Sequence, residues 1–376
     1  MSEAKLMKGN EALAEAVIRA GCKGYFGYPI TPQSEILEYL AEEGRQRGMV
    51  VMQVESELAA INMVYGAGGA GVRVMTSSSS PGISLMQEGL SYIACAEIPC
   101  LVVNVNRGGP GLGTIQPSQG DYFQSVKGGG HGDYHLIVLA PSSVQEMADM
   151  VYDAFDISDK YRNPVLILAD GALGQMMEKV SFRDYNPEEH LVPKPWATVG
   201  KPPTRERNYI TSLHIQPEKM EEINNRLQAK YKYIAEEETK FQAINTDGAD
   251  VVLVAYGLAA RIAHRAAELA RNHGISVGVV RPITLWPFPT KALRDLREKA
   301  KGMFVVEMNA GQMVEDVRLA VEGKIPVEFF GRMGGMIPAP EEIETHIVEF
   351  AKKLGINPSK KQPEDKKRTT LEHETV

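Results

Sequence analysis

Between residues 9 and 169, short runs of apolar residues alternate with stretches in which apolar residues recur every three to four positions. The first period predicts buried strands and the second predicts amphipathic helices. Gly9–Ala20 reads as a helix with Leu13, Ala16, Val17 and Ala20 on one face, Lys23–Gly27 as a short strand, and Gln33–Glu43 as a helix with Ile36, Leu37 and Leu40 inward. Met49–Val54 follows as a strand, Glu57–Ala67 as a helix, Val72–Thr76 as a strand and Pro81–Ala94 as a helix. Ile98–Val105 and Leu136–Ala140 are apolar strands, Pro141–Asp159 a helix and Pro164–Ala169 a strand. Continuous apolar strands separated by helices imply a mostly parallel sheet covered on both faces.

The alternation stops after residue 180. Residues 181–247 form a connector, first extended and rich in Pro, Lys, Arg and Glu over Tyr185–Arg207, then a charged helix over Pro217–Gln242. The α/β pattern resumes with strand Val251–Ala255, a helix from Gly257 to Asn272, strand Val277–Val280, a helix from Thr290, strand Met303–Glu307, and helices near Gln312–Glu322 and Pro340–Leu354. The expected organisation is an α/β domain over 1–180, a smaller one over 248–355, and a charged tail at 356–376.

Composition narrows the function classes. The 376 residues are 43% hydrophobic and 24% charged, with a net charge of −7. No basic surface for nucleic acid or anionic membrane is indicated. No run approaches the ~18 apolar residues of a membrane span, and the start of the chain shows no signal peptide, so a cytoplasmic protein is expected. Cys22, Cys95 and Cys100 form no Cys-x-x-Cys pair. An iron–sulfur cluster or zinc site built by four cysteines of this chain is excluded, and each cysteine reads as a small hydrophobe.

Four loops at strand ends carry candidate chemistry, because ligands of open α/β sheets bind beyond the carboxyl ends of strands. In Gly27-Tyr28-Pro29-Ile30-Thr31-Pro32, Pro32 suits the first helical position and Thr31 the N-cap; a rigid turn with an ordinary cap is the plain alternative. Glu57 opens the next helix, either as a carboxylate facing a ligand nitrogen or as an acid that complements the helix dipole; Glu55 ranks second. Thr76-Ser77-Ser78-Ser79-Ser80-Pro81-Gly82 gathers hydroxyls and N–H groups at a helix start, suited to an anion or a polar ring edge, or simply to a serine-rich turn. Arg107, before Gly108-Gly109-Pro110-Gly111-Leu112-Gly113, could hold a carboxylate bidentately or lie free on a flexible loop. These glycines do not form a dinucleotide fingerprint, since Pro110 interrupts them. His131, within Gly128–Asp133, could carry a proton, but a surface histidine is the plainer reading.

Together and in this order, the motifs around Thr31, Glu57, Ser77–Ser80 and Arg107 resemble the alpha subunit of thiamine-diphosphate-dependent 2-oxoacid:ferredoxin oxidoreductases. The resemblance extends through the second α/β segment. It implies a doubly wound pyrimidine-type thiamine-diphosphate domain followed by a transketolase C-terminal-like domain. The wording of Tyr28-Pro29-Ile30-Thr31-Pro32-Gln33 and Arg107–Gly113 resembles most the branched-chain (2-oxoisovalerate, 3-methyl-2-oxobutanoate) type, with the 2-oxoglutarate type as the alternative. A self-contained thiamine enzyme and a non-catalytic relative are remoter.

On this resemblance, Glu57 corresponds to the carboxylate that hydrogen-bonds N1′ of the aminopyrimidine. Thr31 corresponds to a threonine at the substrate oxygen, and Arg107 to the arginine that pairs with the 2-oxoacid carboxylate. Tyr28, Pro29, Ser78 and Ser79 fall among the cofactor-binding positions. The Gly-Asp-Gly…Asn-Asn signature for diphosphate and Mg²⁺ is missing, and Asp170-Gly171-Ala172 does not replace it. The resemblance therefore implies a beta subunit holding the diphosphate and Mg²⁺. It also implies a ferredoxin-like subunit with iron–sulfur clusters, a gamma subunit in some assemblies, ferredoxin as acceptor, coenzyme A as co-substrate, and no activity in this chain alone.

Overall fold

The computed structural model describes residues 4–359. The charged tail expected over 356–376 lies, from residue 360 onward, outside them. The larger sheet has seven strands in the order Thr284–Trp286, Ile137–Leu139, Val165–Asp170, Leu101–Asn106, Val74–Ser78, Gly24–Gly27 and Val50–Gln53. All pairs are parallel except the one between Thr284–Trp286 and Ile137–Leu139. Leu101–Asn106 and Val165–Asp170 are buried at every position, as a strand covered on both faces requires. Gly9–Arg19 and Val144–Tyr161 cover one face through Leu13, Val17, Met147 and Val151. Glu57–Gly69 and Ser80–Cys95 cover the other through Ile61, Val64, Ile83 and Leu90.

The second sheet has five strands, in the order Val327–Gly331, Gly302–Glu307, Val251–Val254, Val277–Pro282 and Phe241–Ile244. Only the last pairs antiparallel. The connector helix, expected to reach Gln242, ends at Glu237, because Phe241–Ile244 pairs with Val279–Pro282 as an edge strand. Thr284–Trp286 lies in sequence between Val277–Pro282 and Gly302–Glu307 of the second sheet yet extends the first, so the chain returns to the first sheet before completing the second. Lys5–Lys8 and Met177–Val180 form a further small antiparallel pair.

The connector is anchored, not loose. Ile223, Leu227, Tyr231 and Ile234 form the buried stripe of helix Pro217–Glu237. Upstream, the buried Arg73 donates from Nε to Asp159 at 2.9 Å, from Nη2 to Asp156 at 2.7 Å and from Nη1 to the Tyr185 hydroxyl at 2.8 Å. One desolvated guanidinium thus ties the connector to the strand–helix layer below it.

Gln119 joins the two α/β units. Its N–H donates to Met308 O at 2.9 Å, its Oε1 accepts from Met308 N at 2.9 Å, and its Nε2 donates to Tyr256 O at 2.9 Å. Its carbonyl accepts from Asn309 Nδ2 at 2.8 Å. Asp170 makes a second joint, accepting from Ala172 N at 2.9 Å and Leu173 N at 3.1 Å, and from Leu258 N across the boundary. Burial pushes its carboxyl up to about 6, a rise these three N–H groups only partly offset. Among the described residues, no helix is long and apolar enough to cross a membrane.

Candidate active site

The carboxyl ends of Gly24–Gly27, Val50–Gln53, Val74–Ser78 and Leu101–Asn106 open on one side of the larger sheet. Glu57 is the first residue of its helix; Ser56 is the N-cap, accepting from Ala59 N at 3.2 Å. The Glu57 side chain is 5% exposed. Its Oε1 accepts from the Ser78 hydroxyl at 3.2 Å, and the carboxylate lies against the backbone of Gly82, where a Cβ would stand 2.3 Å from Oε1. Glu55, by contrast, is exposed.

The serine stretch is not the loop that the sequence predicts. Strand Val74–Ser78 runs two residues further than expected, and its pleat sends Ser77 and Ser78 to opposite faces. Ser78 reaches Glu57. Ser77 reaches Gln33 at 2.7 Å and accepts from the Tyr25 hydroxyl at 2.9 Å. Ser79 is the N-cap residue of Ser80–Cys95, but its fully buried hydroxyl caps nothing and has no hydrogen-bond partner. A buried hydroxyl without a partner, one residue from the serine that holds Glu57, is a feature a bound polar group would satisfy.

Thr31 is not the helix cap expected of it. The Thr31–Pro32 peptide is cis, and the helix begins at Ser34 with Gln33 in the cap position. Tyr28, Pro29 and Thr31 are exposed along the rim. The carbonyl of Thr31 accepts from Arg107 Nη1 at 2.9 Å, while Nη2 donates to Leu112 O at 2.9 Å. Arg107 is therefore not a free arm on a flexible loop, since it clamps the Thr31 turn to the glycine loop. Its Nε is buried without a partner, and each terminal nitrogen keeps a second N–H. Arg107 N donates to the Ser80 hydroxyl at 3.0 Å, so contacts run from Thr31 through Arg107 and Ser80 to Ser79, Ser78 and Glu57. His131 sits exposed on the 127–133 loop and takes part in none of these contacts.

Two neighbours escape sequence reasoning. Asn104 Nδ2 donates to Asp121 Oδ2 at 2.8 Å, and burial raises the Asp121 carboxyl above its ordinary value against the lowering effect of Ser80 and Asn104. The available signal is the polar residue at alternate positions of Leu101–Asn106, Asn104 and Asn106, within an otherwise apolar strand. Among the described residues, no group of His, Cys, Asp and Glu is placed to hold a metal ion.

Residues 15–244 match the family described as pyruvate flavodoxin/ferredoxin oxidoreductase, thiamine diphosphate-binding, and residues 249–343 match pyruvate:ferredoxin oxidoreductase core domain II. The chain is 49% identical to ketoisovalerate oxidoreductase subunit VorB of Methanothermobacter thermautotrophicus, with 92% of this chain and 98% of that protein covered. It is 38% identical to 2-oxoglutarate synthase subunit KorA of Methanocaldococcus jannaschii, covering 92% and 99%. Among solved structures, 2-oxoglutarate:ferredoxin oxidoreductase from Magnetococcus marinus, with 2-oxoglutarate, coenzyme A and succinyl-CoA bound, superposes with a TM-score of 0.82 at 28% identity; 93% of this chain and 65% of that one are covered. A split-gene transketolase shares the fold, at a TM-score of 0.58 and 14% identity, over 93% of this chain and 99% of that one. With family models matching residues 15–244 and 249–343 and a relative 49% identical over 98% of its length, the chain belongs to the thiamine-diphosphate-binding pyruvate flavodoxin/ferredoxin oxidoreductase family, as an oxidoreductase subunit.

Proposed function

We propose that this chain is the alpha subunit of a 2-oxoacid:ferredoxin oxidoreductase that converts a branched-chain 2-oxoacid and coenzyme A to acyl-CoA and CO₂, passing electrons to ferredoxin. The observation that carries the reading is the Glu57 carboxylate, buried at a strand end, held on one oxygen by Ser78 and backed by Gly82. Such a group is a preorganised acceptor for a ring N–H of the aminopyrimidine. Thiamine diphosphate, when bound, supplies the carbanion chemistry, and the protein supplies orientation and proton placement. Ser79 offers the second polar contact. In this reading the uncommitted N–H groups of Arg107 meet the substrate carboxylate, and the exposed Thr31, whose carbonyl Arg107 holds, offers its hydroxyl to the substrate oxygen.

The substrate reading has two supports. The loop after Arg107 exposes Leu112 and Ile115, and it contains no second basic residue between Gly108 and Val126, whereas a dicarboxylic 2-oxoacid calls for a second cation. The 49% identity to ketoisovalerate oxidoreductase subunits agrees. Diphosphate, Mg²⁺ and iron–sulfur clusters fall to partner subunits in this reading; it is supported by the missing Gly-Asp-Gly…Asn-Asn signature and by the lack, among the described residues, of a His, Cys, Asp and Glu group placed to hold a metal ion. The test is the complex co-purified with its native partners, assayed for coenzyme-A-dependent reduction of ferredoxin with 2-oxoisovalerate, 2-oxoglutarate, pyruvate and an arylpyruvate. The highest kcat/KM is expected with 2-oxoisovalerate; a preference for 2-oxoglutarate would overturn the branched-chain assignment.

A further inference from the structure

Two adjacent serines at the end of Val74–Ser78 serve opposite faces of the sheet. Ser78 holds Glu57. Ser77 belongs to a second array with no role so far. Its direction is fixed by valence. Gln33 Nε2 donates to Tyr28 O at 3.2 Å, which leaves Gln33 Oε1 as the acceptor for the Ser77 hydroxyl at 2.7 Å. With its own proton committed, Ser77 accepts from the Tyr25 hydroxyl at 2.9 Å. Tyr25, Ser77 and Gln33 are each fully buried. Burial raises the Tyr25 phenol above its ordinary value, so it stays a donor. The ring lies across the Cα of Gly27, where any Cβ would fall 2.3 Å from the Tyr25 oxygen.

The array ends on the turn that carries Thr31. Inside that turn, Tyr28 O is held by Gln33, and Pro32 O by Asn10 Nδ2 at 2.7 Å and by Gln175 Nε2 at 3.3 Å. On the outside, Thr31 O is held by Arg107. The buried amides of Gln33 and Asn10, with the exposed Gln175, thus fix the turn, and the turn in turn aims the guanidinium. We propose that Tyr25, Ser77 and Gln33 are positioning residues for 2-oxoacid binding, acting through the Tyr28–Pro32 turn on Thr31 and Arg107. This rests on the reading that Arg107 meets the substrate carboxylate. A buried chain with one allowed direction holds a single geometry, whereas an exposed turn held only by solvent samples many.

The test compares Gln33→Met, which removes both polar ends at similar volume, with Tyr25→Phe, which removes only the first donor and keeps the ring. Both are measured in the co-purified complex. Gln33→Met is expected to raise KM for the 2-oxoacid about tenfold, with kcat within about threefold of wild type and KM for coenzyme A unchanged; Tyr25→Phe is expected to raise the 2-oxoacid KM two- to threefold. A purely structural role would lower the yield of folded complex and leave both KM values alone, which would overturn the proposal. An equal rise in both KM values would also overturn it, and Tyr25→Phe decides the matter if Gln33→Met does not fold. A wild-type complex inert toward every 2-oxoacid would overturn the parent function and this proposal with it, whereas an active wild type with unchanged variant KM values would overturn only the positioning chain.

Discussion

Replacing Gly82 with alanine sets two physical effects against each other. Gly82 lies in the first turn of Ser80–Cys95, and on helix propensity alone alanine would stabilise by about 0.5–1 kcal/mol. Its Cβ, however, would stand 2.0 Å from Ser78 Oγ, 2.3 Å from Glu57 Oε1 and 2.7 Å from Glu57 Cδ. Both side chains must retreat by roughly 1 Å to restore van der Waals contact, and a displacement of that size at a reacting group costs about 10²-fold in rate. The overpacking itself costs about 1–3 kcal/mol, so the net loss of stability stays at or below about 2.5 kcal/mol. Gly66→Ala is the control, because nothing lies within 4 Å of its added Cβ. In the assembled complex with 2-oxoisovalerate, Gly82→Ala should lower kcat about 10²-fold with a small drop in melting temperature, and Gly66→Ala should leave both near wild type. Gly82→Ala activity within twofold of wild type would refute the reasoning, since the Glu57 carboxylate would then tolerate a displacement the chemistry should not.

Two further outcomes follow from burial. Asp170 has its carboxyl raised to about 6 from an ordinary 3.8, so the folded chain holds a proton there that the unfolded chain releases. Its contribution to stability is greatest below about pH 4, falls as pH rises to about 6 and is level above; the unfolding free energy of wild type minus that of Asp170→Asn, by urea titration, should fall across this window by up to roughly 3 kcal/mol, and a flat difference would contradict it. Cys22 and Cys100 are buried, with thiols pushed up to about 12, whereas Cys95 is only half-buried; iodoacetamide should alkylate Cys95 first in the native chain, as read by peptide mass spectrometry, and early labelling of Cys100 would contradict its burial.

The parallel core was legible because Leu101–Asn106 and Val165–Asp170 are buried along their whole length and begin as apolar runs, Leu101–Val103 and Val165–Ala169. Lys5–Lys8, Phe241–Ile244 and Thr284–Trp286 were not, because each is short, partly exposed or paired with a segment far away in sequence. Glu57 stood out as an acid opening a helix after an apolar strand, and the structure separates it from Glu55 by burial. The clamp made by Arg107 was hidden because its acceptors are backbone carbonyls, one of them 76 residues away, and backbone acceptors leave no mark in residue type. Gln33 was hidden for a related reason. A glutamine at a helix start reads as surface, and only the strand that overruns into Ser77 turns it into a buried partner.

The central claim is that Glu57 presents its carboxylate to the cofactor ring in a 2-oxoacid decarboxylating enzyme. The direct measurement is release of labelled CO₂ from 1-labelled 2-oxoisovalerate by the co-purified complex carrying Glu57→Gln, beside wild type and with assembly checked by gel filtration. The account predicts an intact complex that releases CO₂ about 10²–10⁴-fold more slowly; an intact complex that decarboxylates at the wild-type rate would contradict it.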